Sequence, residues 1–316
     1  MRFTVRAPAS SANLGPGFDA LGIALDLWNE IEVDTDGPAG AVVLDSTEAA
    51  LLDDRENLSL TAMQRLADEE RRTLPGFSLR LRTDIPVARG LGSSAAAIAA
   101  GLLAADRLLG TGLPLSRLFG IAWQMEGHGD NVGAALYGGA VLAVPTLREP
   151  VRLLTHDRLE LAVVVFIPEV TGLTWAARAA LPPAIPHADA AFNIAAASGL
   201  VLGLHNGDPA LIAAGMHDRL HEPYRARLFP HLQPMTEAAR AAGALGAVLS
   251  GAGPTILALA ERGDAEAVAA AYRAASRSCG VTGRAVVIAP AASGAHIVDP
   301  SPDTLRPNPA VASSRG

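Results

Sequence analysis

The sequence predicts an α+β fold, and three observations carry that expectation. Segments that alternate apolar and polar residues stand beside segments with helical periodicity. The two kinds mix without the strict βαβ rhythm of a doubly wound parallel sheet. An apolar strand at 159–168, LELAVVVFIP, opens a second block after a first block that closes near residue 150. With 316 residues, 50% of them hydrophobic, the chain is long enough to bury a sizeable core.

RFTVRA alternates as a first strand and leads into PASSANLGPG, whose Pro, Ser and Gly predict a turn. A second strand covers 20–33, where Asp26, Asn29, Glu30 and Glu32 interleave with apolar residues, and VVL at 42–44 makes a short third. After Glu56-Asn57, LSLTAMQRLADEERR is an amphipathic helix. FSLRLRTDIPV sets Leu79 and Leu81 against Arg80 and Arg82, the pattern of a half-buried strand. The stretch 86–110, PVARGLGSSAAAIAAGLLAADRLLG, runs from a Gly-Ser loop into an almost entirely apolar helix, and 114–125 forms another.

EGHGDNVGAALYGGAVLAV reads as a helical turn ending at Gly138-Gly139, then a strand. Helices follow at 174–180, 190–205, 209–220 and 235–242, with strand, glycine turn and strand at 246–260. A helix at 266–276 and a last strand, RAVVIAP, complete the block. The Pro-, Ser- and Gly-rich tail from Ser293 is expected to be poorly ordered. The expected units are 1–155, 156–292 and a disordered tail 293–316.

Composition excludes several classes of function. A net charge of −7 without any basic run argues against nucleic acid and against a polybasic membrane patch. The single cysteine, Cys279, allows no intrachain disulfide and suits a reducing compartment. MRFTVRAPAS lacks the apolar core of a signal peptide, and the apolar run 95–105 is too short to span a bilayer. A soluble, cytoplasmic protein is expected. All 25 basic residues are arginine. A Walker A loop, a kinase phosphate lysine and a pyridoxal Schiff base are therefore impossible here. Any phosphate site must be built from amides, hydroxyls, arginines and metal.

Five stretches carry candidate chemistry. In the first, Gly90 and Gly92 permit a close backbone approach, and Ser93 and Ser94 stand at the start of a helix. Both a phosphate cradle and an ordinary helix cap fit this pattern. In the second, Asn13 and Asp19 bracket a stiff Gly-Pro-Gly turn. In the third, Glu126, His128, Asp130 and Asn131 gather polar groups within an apolar region, suited to Mg²⁺ or to a hydroxyl proton. In the fourth, SGAGPT at 250–255 is either a hairpin turn or a second wall of amides. In the fifth, His217 and His221 lie at i, i+4; two surface histidines are favoured over zinc, because no third ligand follows.

Together, PASSANLGPGFDALGIAL, PVARGLGSSAAA, EGHGDNVGAALYGG and SGAGPT resemble the GHMP kinase family, in that family's order from residue 7 to 255. The first stretch, with HEPYR, resembles the homoserine kinases in particular. The resemblance implies an N-terminal ATP-binding domain, a C-terminal ferredoxin-like domain and an active site between them. It implies transfer of phosphate from ATP to the side-chain hydroxyl of L-homoserine on the route to threonine, with Mg²⁺, in a protein that can be a homodimer. Residue by residue, it implies ATP binding by Asn57, Arg89, Gly90, Leu91, Gly92, Ser93 and Ser94, and metal binding by Ser94 and Glu126. Asn13, Asp19, His128, Asn131, Thr174, Arg178, Arg225 and Gly251 match substrate-binding positions. Asp19 suits an ammonium, and the forks of Arg178 and Arg225 suit a carboxylate. Of the catalytic candidates Asn131, Ser94, Glu126 and Asp130, Asn131 is expected to orient the substrate hydroxyl, with no general base required.

Where the family reads HPDNVAPA this chain reads HGDNVGAA, which predicts a looser loop. Two other functions stay open: a GHMP kinase for a mevalonate-like alcohol, and a GHMP-fold protein that binds ligand without catalysis.

Overall fold

The computed structural model describes residues 1–45, 57–154 and 161–299. Strand β1, Arg2–Ala12, continues through PASSA, which the sequence reads as a turn. It pairs antiparallel with β2, Leu21–Asp34, and a register shift between Pro8 and Ala9 absorbs the proline. The serines stay in the strand because they are buried with partners. Ser10 N donates to Leu91 O, and the hydroxyls of Ser11 and Ser250 lie 2.8 Å apart.

Strand β3, Val42–Asp45, runs parallel to β4, Ser78–Thr83, which pairs antiparallel with β2. β5, Ala140–Leu142, extends the other end of β2 and carries β6, Val151–Leu154. Helices α1 (Leu58–Glu69), α2 (Ser93–Leu109), α3 (Leu115–Glu126) and α4 (Asp130–Tyr137) belong to this sheet. α2 and α4 lie on β1 and β2, while α1 and α3 pack against α2. Covered on several sides, α2 buries most of its length, and its apolar sequence follows.

The second sheet contains β7 (Leu161–Pro168), β8 (Ala244–Leu249), β9 (Ile256–Glu261) and β10 (Gly283–Ile288). Its order, β10-β7-β9-β8, is antiparallel throughout. That is the ferredoxin-like arrangement. Helices α5 (Thr174–Ala179), α6 (His187–Asn206), α7 (Pro209–Gly215), α8 (Glu222–Arg225) and α9 (Leu232–Ala241) fall between β7 and β8. α10, Ala265–Cys279, connects β9 to β10.

β7 is apolar at every position because both of its faces are covered. Val163, Val165 and Ile167 join the main core, while Ala162, Val164 and Phe166 face the cluster under α9 and α10. The main core therefore continues from the large sheet onto the inner face of the small one. α6 has the length and composition to cross a membrane, yet it lies against α7 and β6 with Leu200 and Leu204 buried.

Two expectations need correction. The helix at 209–220 stops at Gly215, and the residues before α8 are not helical. The tail from Ser293 is not wholly irregular: β11, His296–Val298, pairs antiparallel with β1 and makes the large sheet seven-stranded among the described residues. Residues 300–316 lie outside the described residues, as does the expected boundary at 155/156.

Candidate active site

The Gly-Ser loop follows β4 and delivers the chain to the first turn of α2. Gly90 and Gly92 have φ of +73° and +68°. A Cβ at Gly90 would strike Ser250 O, and one at Gly92 would strike Ser10 Oγ, so only glycine lets the loop lie this close to β1 and to SGAGPT. Gly92 is the N-cap of α2, and no side chain caps the helix. Of the two readings the sequence left open, the ordinary side-chain cap is therefore not the one found. The Ser94 hydroxyl donates instead to Glu126 Oε1 at 2.6 Å, across to the end of α3. The uncapped start of a 17-residue helix, with no acid in its first turn, thus opens on a cavity of about 590 Å³. Orphan amides and the helix dipole make such an opening a site for anions.

Asn57, Arg89, Gly90, Leu91, Gly92, Ser93 and Ser94 all line this cavity, with Glu126, His128, Asn131 and Thr174. Their side chains differ in what they have left to offer. Asn57 Oδ1 caps α1, accepting from Ser59 N and Leu60 N. Leu91 is buried in the core, so its contribution is backbone. The Arg89 guanidinium donates to the carbonyls of Val87, Pro168 and Glu169, which makes it a strap between the loop and the end of β7.

At the other wall, Asn131 Oδ1 accepts from Ser10 Oγ at 2.8 Å, leaving the Asn131 amide donors for a ligand. His128 Nδ1 donates to Asp130 Oδ1 at 2.6 Å, and Asn131 N donates to the same oxygen at 2.7 Å. Burial disfavours the His128 imidazolium, but the Asp130 hydrogen bond and the charges of Asp130, Glu126 and Asp19 outweigh it and raise its pKa. Asp130 is 1% exposed, and its Oδ2 has no partner among the described residues. At the position of the first missing proline the backbone is closely packed. Trp123 and Ala143 pack so closely on Gly129 that a Cβ there would meet them at 2.6–2.7 Å.

Behind His128 lies a second group of residues that do not line the cavity: Asn13, Asp19, Asp130, Arg178, Arg225 and Gly251. Ligand atoms of Asp19, His128 and Asp130 lie within 4.8 Å of one another. Arg178 grips Asp19 with both nitrogens, at 2.8 and 3.0 Å, and this bond raises its pKa. Asn13 and Asp19 both hold left-handed backbone, with φ of +70° and +58°. Asn13 Oδ1 accepts from Asp19 N, and its Nδ2 donates to Gly251 O, tying the first loop to SGAGPT. Arg225 is 2% exposed; its Nε donates to Ala177 O and its Nη1 to Gly251 O. Its Nη2 has no protein acceptor among the described residues. Desolvation, and then the like charge of Arg178, lower its pKa.

Of the two histidines expected at the surface, His217 is exposed and His221 is not. His221 is fully buried, and its Nε2 donates to Gly15 O at 2.8 Å while Nδ1 faces Arg225 Nη1 at 3.3 Å. Burial lowers its pKa, so the ring is neutral, and neither nitrogen is free for zinc. Sequence reasoning also missed Ser10, Asp218 and Asn193. Asp218 accepts from the amides of Leu220, His221 and Glu222 and from Asn193 Nδ2. Asn193 on α6 accepts from Arg219 N, so these two residues shape the turn that presents Arg225. The acid four residues before Glu222 was the available signal, a cap ahead of a short helix.

The match to GHMP kinases N terminal domain covers residues 57–139, and the match to GHMP kinases C terminal covers 200–277. A homoserine kinase of Synechococcus sp. (strain CC9605) is 40% identical over 93% of this chain and 95% of its own. One from Gloeobacter violaceus is 43% identical over 84% of this chain and 89% of its own. The crystal structure of homoserine kinase from Cytophaga hutchinsonii superposes with a TM-score of 0.85 at 30% identity, covering 94% and 97% of the two chains. Leishmania major mevalonate kinase shares the fold, with a TM-score of 0.67 at 17% identity over 92% and 96% of the two chains. With both halves matched and its glycine loop set against an uncapped helix, this chain belongs to the GHMP kinase family, in its homoserine kinase branch.

Proposed function

We propose that this protein transfers the γ-phosphoryl group of ATP to the side-chain hydroxyl of L-homoserine, giving ADP and O-phospho-L-homoserine. One observation carries the reading: an uncapped helix start beside Ser94 and Glu126 opens toward Asn131 and His128, behind which acid and arginine stand side by side. ATP phosphates suit the amides at 90–94, and the hard oxygens of Ser94 and Glu126 suit Mg²⁺. Bound there, Mg²⁺ would offset charge on the phosphates.

The rest falls to the protein. Asp19 and the free oxygen of Asp130 receive the substrate ammonium, and Arg178 with Arg225 Nη2 receives the carboxylate. Asn131, with its Oδ1 committed to Ser10, donates to the substrate hydroxyl and aims it at the γ-phosphorus. As the new O–P bond forms, the bond to ADP breaks, and the hydroxyl proton leaves to solvent. Alignment and charge neutralisation suffice for such a loose transition state. A zwitterion pocket favours an amino acid over a mevalonate-like monoanion. The single cysteine and the amino-acid substrate fit a soluble, cytoplasmic enzyme.

An ADP-release assay with homoserine, mevalonate, serine and shikimate tests the reading. Turnover should be greatest with homoserine. Preferential turnover of mevalonate, or none with homoserine at any Mg²⁺ concentration, would overturn it.

A further inference from the structure

Phe18 takes part in none of the bonds described above, yet three functional side chains surround it. The Arg178 guanidinium carbon lies 5.6 Å from the ring centroid, and that of Arg225 lies 5.4 Å away. The neutral His221 ring is tilted against it at 5.3 Å. The two arginines come from separate elements, α5 and α8, and carry like charges that repel each other. Arg178 is paired directly with Asp19, whereas among the described residues Arg225 hydrogen-bonds only to carbonyls and a neutral imidazole, and Asp19, Asp218 and Glu222 act on it without direct contact. The negative face of an aromatic ring attracts a guanidinium within about 6 Å. It can do so for two cations without consuming the N–H donors that a carboxylate needs.

We propose that Phe18 is the positioning residue that sets the spacing of Arg178 and Arg225 for the α-carboxylate of the amino-acid substrate. The inference rests on the function proposed above. Phe18 touches no reacting atom; it acts through the two forks. A leucine would fill much of the space and pack on the same neighbours, but it offers no π face.

The test compares the wild type with Phe18→Leu, Phe18→Met and Phe18→Tyr, using L-homoserine as substrate and 3-amino-1-propanol as competitive inhibitor. The inhibitor is homoserine without its carboxylate. Phe18→Leu and Phe18→Met should each raise KM for homoserine roughly tenfold, the loss expected from about two such contacts. The inhibitor's Ki should change far less, because it has no carboxylate for the arginines to hold, although Arg178 is paired with the Asp19 that would receive its ammonium. Phe18→Tyr should restore most of the affinity. Equal losses for homoserine and the inhibitor, no gain with tyrosine, or no shift in either aliphatic variant would overturn the proposal. Two aliphatic variants of different shape, each checked by thermal melting, guard against one that does not fold. Wild-type turnover is read first. Its absence defeats the proposed function and this inference together, whereas turnover with no shift in the variants defeats the inference alone.

Discussion

Asp130 Oδ1 is held by His128 and by the Asn131 amide, while Oδ2 has no partner among the described residues. A buried, unpaired carboxylate oxygen is costly unless a ligand supplies a donor. A substrate ammonium would supply one, and in the proposed function Asp130 is accordingly a binding group rather than a base. Asp130→Asn should therefore raise KM for homoserine and lower kcat by no more than about tenfold, since base catalysis would be worth about 100-fold or more. A larger loss in kcat with KM intact would instead show Asp130 taking the hydroxyl proton. Glu222 offers a second test. Desolvation of its carboxyl raises the pKa from 4.5 to about 8, against the hydrogen bond from Leu249 N. The folded protein then keeps a proton that the unfolded chain releases, so stability falls as pH rises through that window and levels off above it. The wild-type melting temperature should drop between about pH 5 and about pH 8 more than that of Glu222→Gln. Parallel curves would show that the carboxyl is charged throughout. The sequence marks Asp130 as a candidate by its polar neighbours in an apolar region, but neither its unpartnered oxygen nor the burial of the Glu222 carboxyl is legible there, since both depend on elements distant in the chain.

At the scale of elements, the glycine loop and the helix it opens form one device. Gly92 holds a left-handed backbone and leaves room for the Ser10–Asn131 bond. Gly92→Ala should lower kcat/KM at least about tenfold and cost about 1–2 kcal/mol in stability, from both strain and the displaced serine. Kinetics and denaturant melts on one preparation would show whether the two losses occur together. Most elements here were legible, because period-2 and period-3.6 patterns survive wherever one face is buried. PASSA was not: its residues have turn chemistry, but the partners that keep the serines in a strand lie far along the chain, at Leu91 and Ser250. His296–Val298 escaped notice for the opposite reason. A three-residue strand on the edge of a sheet leaves no period to detect. The turn before α8 falls in the stretch 209–220 whose sequence predicts helix, but Asp218 there gathers the amides of 220–222.

At the scale of the whole molecule, the candidate site draws on residues as far apart as Ser10 and Gly251, and Arg89 holds two parts of the chain together. Its guanidinium spans carbonyls at Val87, Pro168 and Glu169, so the phosphate loop is braced against the ferredoxin-like sheet. Sequence order marked Arg89 as part of a phosphate motif. That its side chain reaches the other sheet follows only from the fold. Arg89→Ala should raise KM for ATP several-fold and lower the melting temperature by a few degrees, and Arg89→Lys should not rescue it, since an ammonium cannot reproduce the planar fork. Unchanged ATP kinetics in both variants would show that the brace is dispensable.

The ion pair between Asp19 and Arg178 has a further consequence for binding. Here the two charges satisfy each other, and an amino acid bound as proposed would part them while offering each a replacement. Binding is then an exchange of one ion pair for two others, with no net charge gained or lost by the complex. Salt screens both sides of such an exchange, so much of its effect cancels. KM for homoserine should change by less than about twofold between roughly 0.05 and 0.5 M KCl, whereas KM for the highly charged nucleotide should climb. An enzyme built this way would keep its grip on an amino acid as the ionic strength around it varies.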